Sequence, residues 1–424
     1  MKILEKGIYL VVLGLPLYLI RFKIFDIPTT LLELMIFGLF IGWLINGFNF
    51  KDFKNLLITH YLLLIAILLI LIGVSIATVY SWDFRVSAGI WKAWFIDPLL
   101  FFIVFISVIK KPEQITRVFY CLIFSGFAVS IISLIYLIQG NLDGQGRLQG
   151  FYNSPNYLAM YLAPALIASF WILFFRFPRS AQRAELRVEP FARSRQVETT
   201  MPAFGLKTRS RTISKTILLI VNCLLLIIIL FFTKSLGAWL GIIAALVFGL
   251  IIYFRNKQKK VLLWGIVFCG LIIVLVFTFL KINSIQGKLS LDSRLIIWQR
   301  AWEAFKGSPI RGIGPGTFAD YFPSYPIWGV PQPHNLYFAF LLQTGIIGFI
   351  GFVWLLIHFF KTGFKLFTNH YSLLITIIMS VMVYILVHGL VDTLYWKNDL
   401  SVFFWIIIGC MVVLKFNNSK LIRN

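Results

Sequence analysis

Four residues of this 424-residue chain have the type and setting to act on an anionic substrate. The first is Arg294, in the run Asp292-Ser293-Arg294-Leu295-Ile296-Ile297-Trp298. On a helical wheel, Gln299, Arg300, Glu303 and Lys306 gather on one face. Trp298, Ala301, Trp302 and Phe305 gather on the other, joined by Leu295 and Ile297. This pattern predicts a helix lying in a membrane interface, capped by Ser293 or Asp292, with Trp at head-group depth. Arg294 falls in the middle of the apolar face. An inward Arg beside the positive end of a helix dipole calls for an anion, and its planar fork suits phosphate. Snorkelling past the helix end is the competing reading. The second residue is His334, placed just before an apolar run. An imidazole with an unperturbed pKa of about 6.5 suits a general base near neutral pH. A lone His before a helix is nevertheless more often incidental than catalytic. His388 and Asp392 fall near the end of another apolar run and could line the same cavity. Arg147 is the only basic residue of its connection, Lys234 the only cation of the turn Thr233-Lys234-Ser235-Leu236-Gly237. Each fits anion binding or simple snorkelling, and Asn153 to Asn156 read first as a helix start.

The elements that must position these residues are membrane spans. Hydrophobic residues make up 59% of the chain and charged residues 13%, against about 25% charged in an average soluble protein. Twelve apolar runs approach the roughly 20 residues needed to cross a bilayer. They lie near 3–20, 28–48, 60–80, 94–109, 117–139, 156–175, 216–232, 236–254, 260–281, 336–360, 371–390 and 399–416. The expected fold is all-α: a polytopic membrane protein of about twelve transmembrane helices, forming one integral membrane domain over 1–424. Lys and Arg favour the cytoplasmic side. With the N-terminus inside, 26 of the 39 Lys and Arg fall on the inner side. Without the two long loops the ratio is 16 to 7, in the same direction. Both termini are then cytoplasmic. Residues 176–215 are expected to form a basic, disordered cytoplasmic loop, with a basic amphipathic helix on the lipid surface as the alternative. Residues 282–335 form a large periplasmic or extracellular loop that carries Arg294 and delivers His334 at the outer face.

The net charge of +23 is therefore mainly a topology signal, with anionic head groups as a secondary partner and no nucleic acid implied. Cys121, Cys223, Cys269 and Cys410 sit inside apolar runs without paired spacing, so neither a disulfide nor a zinc site is expected. No phosphate-binding loop or dinucleotide fingerprint is present, and no cofactor is expected. No carboxylate cluster for a metal-bound nucleotide sugar stands on the outer loops.

His334-Asn335, nine residues, Gly345, two residues and Gly348 resemble the His-Asn/Ser/Gln-x9-Gly-x-x-Gly signature of the O-antigen ligase and O-antigen polymerase superfamily. Arg294-x3-Trp298 through Pro309-Ile310-Arg311-Gly312-Ile313-Gly314 resembles the large outer loop of that family, and Arg147-x2-Gly150 with Asn153 to Asn156 its earlier outer loop. The resemblance implies a metal-independent glycosyltransferase of the bacterial cytoplasmic membrane. Such an enzyme moves a glycan from undecaprenyl diphosphate to a glycan, lipid or protein acceptor at the outer face. It implies that Arg294 and Arg147 hold the diphosphate and that His334 assists the acceptor. Lys234, Arg311, Asn335 and Asn156 are further substrate-binding candidates. Many members have Ser-Arg-Gly where this chain has Ser235-Leu236-Gly237. Lys234 could supply the missing charge, although an ammonium is not a bidentate fork. A glycan flippase or transporter without transferase activity is the competing class. Transporters often show repeated halves and midplane charges, whereas the polar residues here collect at one face. Reporters fused at residues 200 and 320 are expected on opposite sides of the membrane; the same side for both would overturn the topology.

Overall fold

The computed structural model describes residues 2–25, 27–49, 58, 60–188, 204–254, 285–321, 331–367 and 372–423. In chain order the elements are α1 Lys2–Leu13, β1 Arg21–Ile24, β2 Ile27–Thr30, α2 Leu31–Asn46 and α3 Tyr61–Val79. Next come α4 Phe84–Val108, α5 Pro112–Ile138, α6 Pro155–Val188, α7 Phe204–Thr233 and α8 Leu236–Phe254. The last are α9 Ile285–Gly307, α10 Leu336–Leu366, α11 Ser372–His388 and α12 Asn398–Arg423. Helix dominates, as the apolar runs predict. The additions are a two-stranded antiparallel hairpin, with Arg21 opposite Thr30, and a π turn at Lys92–Ile96 inside α4.

Among the described residues, eight helices are long and apolar enough to cross a membrane: α3 to α8, α10 and α12. The expected second and eleventh spans are shorter apolar helices, and the first is the 12-residue α1 followed by a 3-10 turn. The ninth, 260–281, lies outside the described residues. Among the described residues, eight of the twelve expected spans are therefore such helices; the other four are the shorter helices and that segment. In the expected 176–215 loop, α6 continues to Val188 and α7 begins at Phe204; residues 189–203 lie outside the described residues. Where one domain is expected, the residues group into two compact units: Met1–Ser125 with Leu236–Asn424, and Gly126–Ser235.

In the first unit, α3 and α10 pack at backbone distance, and glycines make this possible. A β-carbon on Gly73 would lie 2.3 Å from Gly348 N, and one on Gly351 would lie 2.8 Å from Ala66 O. Small residues at such crossings let backbones approach where lipid supplies no hydrophobic drive. Helix α10 is also broken at Gly345, with φ 65° and ψ 179°, a region that is essentially glycine's alone. The helical bond expected from Ile346 N–H to Leu342 O is replaced by two bonds to a loop. Ile346 N donates to Pro309 O at 3.0 Å, and Ile313 N donates to Leu342 O at 2.9 Å. The loop lies so close that a β-carbon on Gly345 would sit 2.1 Å from Ile310 O. The break divides α10 into an arm, residues 336–344, and a span, residues 346–366.

Gly345→Ala is expected to destabilise the purified protein by at least the 1–3 kcal/mol of backbone strain, read as a lowered melting temperature. Gly38→Ala, where a β-carbon meets nothing within 4 Å, is the control. Equal melting temperatures for the two variants would refute the assigned role of Gly345.

Candidate functional site

The site of the first unit is a short antiparallel pairing between the start of the α10 arm and the turn after α11. Leu336 N donates to Gly389 O at 2.7 Å. The Asn335 amide donates to Leu390 O at 2.9 Å. Arg294 Nε donates to Val391 O at 3.3 Å. His334 Nδ1 lies 3.3 Å from Asp392 Oδ1. Four successive residues of one turn thus receive the arm and helix α9, and they bring Arg294 and His334 side by side. His334 pays for its place with a positive φ of 46°, a conformation uncommon outside glycine and typical of functional sites when the surroundings enforce it.

Each neighbour has a local reason to be where it is. Asn335 is the N-cap of α10, its Oδ1 accepting from Tyr337 N and Phe338 N at 3.0 Å. Its side chain is engaged at both ends and it is 9% exposed, so it holds the arm. The Trp298 indole donates to Pro333 O at 3.1 Å, fixing the residue before His334. Ile297, Ala301 and Ala304 of α9 are buried against Ile313, Phe318 and Leu342, with Trp298, Phe305 and Phe338 packed around them. The face expected to meet lipid therefore meets the arm and its return loop. The wheel is right for Arg294, which shares this inward face with Ile297 and Trp298. Leu295 and Trp302 stand at its edge and are exposed. Gln299, Arg300, Glu303 and Lys306 are exposed as predicted.

Asp392 is 2% exposed. Burial pushes its carboxyl upward, but the His334 hydrogen bond, the charges of His334 and His388, and the Thr393 N–H outweigh it and hold the group at about 2. Sequence reasoning placed Asp392 near the cavity without a role; its signal was a carboxylate four residues past a histidine at the end of an apolar span. Arg311 is not brought to His334. Its guanidinium lies 5.3 Å from the centre of the Tyr80 ring, beside the Gly345 end of the arm, about 13 Å of helix away at 1.5 Å per residue.

The second unit gathers its own cluster. Arg147 Nε donates to Thr233 O at 3.0 Å, and its terminal nitrogen donates to Asn156 Oδ1 at 2.6 Å. Leu148 N donates to Phe232 O at 2.9 Å, which ties the loop to the end of α7. Lys234 takes a positive φ of 50°, and its ammonium lies beside Gly146. Arg147, Asn156 and Lys234 are thus close neighbours. Among the described residues, no group of three His, Cys, Asp or Glu side chains is placed to hold a metal ion.

Residues 221–353 match the O-antigen ligase family model. This segment belongs to that family. The O-antigen ligase segment takes in Lys234, Arg294, Arg311, His334, Asn335 and the glycines at the break of α10. It leaves Arg147, Asn156 and Asp392 outside. No curated protein matches the chain.

The depressed Asp392 fixes a pH dependence. Its stabilising contribution is complete above the ordinary carboxylate range near 4 and is lost as the pH falls toward 2. Asp392→Asn lacks this contribution. The melting-temperature gap between wild type and variant is expected to be widest above about pH 5 and to close between about pH 4 and 2. A gap that stays constant through that window would refute the His334–Asp392 pairing.

Proposed function

We propose that this protein is a glycosyltransferase of the bacterial cytoplasmic membrane. It transfers a glycan from undecaprenyl diphosphate to an acceptor hydroxyl at the outer face, without a metal ion. The observation that carries this reading is the mounting of Arg294 and His334 on adjacent residues, Val391 and Asp392, at the start of the arm whose other end is bent at the signature glycine Gly345. A base and a phosphate-binding fork on one turn are what a diphosphate leaving group and a hydroxyl nucleophile require.

The chemistry follows from the geometry. With His334 Nδ1–H donating to Asp392, the Nε2 lone pair is left to accept a proton. The acceptor oxygen forms a bond to the anomeric carbon as its proton passes to Nε2. The bond from that carbon to the phosphate oxygen breaks, and its electron pair stays on the diphosphate. Negative charge therefore develops where Arg294 supplies a guanidinium held by Val391 O, and a fixed cation there stabilises it. Asn335 acts by positioning His334. Arg147, Lys234 and Asn156 are assigned to the diphosphate or its glycan by their chemistry, and Arg311 to a more distant part of the substrate. Polymerase and ligase differ here only in the acceptor, a growing glycan in one and a lipid or protein in the other.

Transfer by the purified protein from a lipid-diphosphate glycan, with EDTA present and acceptors varied, is the test. Wild type is expected to transfer. Arg294→Lys is expected to lose about 10²–10³-fold, the effect of one transition-state donor, and His334→Ala about 10²–10⁴-fold with a changed pH profile. Normal transfer by Arg294→Lys would remove the fork. Translocation of the lipid-linked glycan without any transfer would favour the transport class.

A further inference from the structure

The opposite end of the first unit holds a histidine that the proposed reaction does not use. His60 precedes α3 and makes no side-chain capping bond. It is 4% exposed, and among the described residues neither ring nitrogen has a hydrogen-bond partner. A buried polar group without partners is costly and needs an explanation. The other end of α3, about 28 Å away along the helix, is Val79 beside Tyr80 and Arg311. His60 is therefore separate from the His334 site.

Three cavities meet at His60. The largest, about 310 Å³, is a trough between α3 and α4 walled by apolar side chains such as Leu64, Leu71, Leu100 and Ile103. From Leu63 to Leu71 it follows α3 for about 12 Å, close to the ~15 Å hydrocarbon depth of one leaflet. The two smaller cavities lead from His60 to Lys415 and His358 and to Lys110. Lys361 and Lys365 add to the positive field around His358. A trough of leaflet depth thus ends at converging cations and a buried imidazole.

An acyl chain gains little in such a trough over the bulk bilayer, because lipid tails are as apolar as leucine. Selectivity must come from the mouth, where an N–H and ammonium groups in low dielectric favour a phosphate. We propose that this is a binding site for an anionic phospholipid, with one acyl chain in the trough and its phosphate held by His60, Lys415 and Lys110.

The test titrates the purified full chain in detergent with phosphatidylglycerol, with phosphatidylcholine of the same chains, or with inorganic phosphate. Melting temperature and native mass spectrometry are the readouts. Phosphatidylglycerol is expected to raise the melting temperature and to remain bound; the other two are not. Lys415→Gln, at a half-buried position, is expected to weaken phosphatidylglycerol binding about fivefold, the effect of one cation. His60→Leu removes the donor and is expected to weaken it as well; if that variant fails to fold, Lys415→Gln decides. Equal binding of phosphatidylcholine would reduce the trough to an unselective crevice. Stabilisation by inorganic phosphate alone would make the mouth a free-anion site. Unchanged binding by Lys415→Gln would remove the phosphate contact. Any one of these overturns the proposal.

Discussion

The break in α10 at Gly345 is the constraint on which the rest of the site depends. A continuous helix would carry the residues before Leu336 along the axis of the span. The break gives the arm its own direction, and the loop from Pro309 to Ile313 takes up the two backbone groups that the break releases. In a membrane those groups would otherwise cost several kcal/mol each, since no water is at hand to satisfy them. Only glycine permits the conformation, and only glycine lets the loop approach so closely. The same loop is pinned elsewhere by side chains: Gly316 N donates to the Gln343 carbonyl oxygen at 2.9 Å, and Ser87 donates to Pro315 O at 2.8 Å. The bend is thus held from both sides, and the arm emerges in one fixed direction.

A fixed arm turns His334 from an incidental residue into a placed one. The pairing with residues 389–392 supplies the hydrogen bonds that make a positive φ tolerable there. Asp392 orients one ring nitrogen, and α9 sits behind Pro333 through Trp298. Each support comes from a different part of the chain: α9, the arm and the turn after α11. Three separate elements thus hold His334 in place.

Much of this was legible in the sequence, and for identifiable reasons. Apolar runs report spans because bilayer thickness sets their length, and most of the expected spans coincide with helices. The inward Arg294 was readable because one guanidinium on an apolar face violates helical periodicity. The His334…Gly345-x-x-Gly348 spacing spans the arm and its break, but that physical content was hidden. Nothing in the sequence alone says that Gly345 breaks a helix while Gly348 admits α3. What covers the apolar face of α9 was hidden for a related reason. A wheel reports an apolar face but cannot tell whether lipid or a neighbouring arm covers it. The contact of Arg294 with Val391 and the partnership of His334 with Asp392 join residues 58 to 97 positions apart, and no local pattern encodes such pairings.

The turn Ser235-Leu236-Gly237 shows how steric and electrostatic demands separate within one motif. Gly237 is fixed by packing: a β-carbon there would lie 2.6 Å from both the His388 ring and Val391. His388 is held in turn by Tyr384, whose hydroxyl lies 2.9 Å from its Nδ1, and its carbonyl accepts from Val391 and Asp392 N–H. A side chain at Gly237 would therefore press on the turn that carries Arg294 and His334. No such restraint applies to charge. A cation acts over several ångströms and is supplied as well from a neighbouring position if the backbone turns it the right way. Lys234 takes a left-handed conformation, with its ammonium beside Gly146. A glycine whose replacement would displace the turn at residues 388–392 is thus kept in place by sterics, a demand that does not extend to the charge of its neighbours.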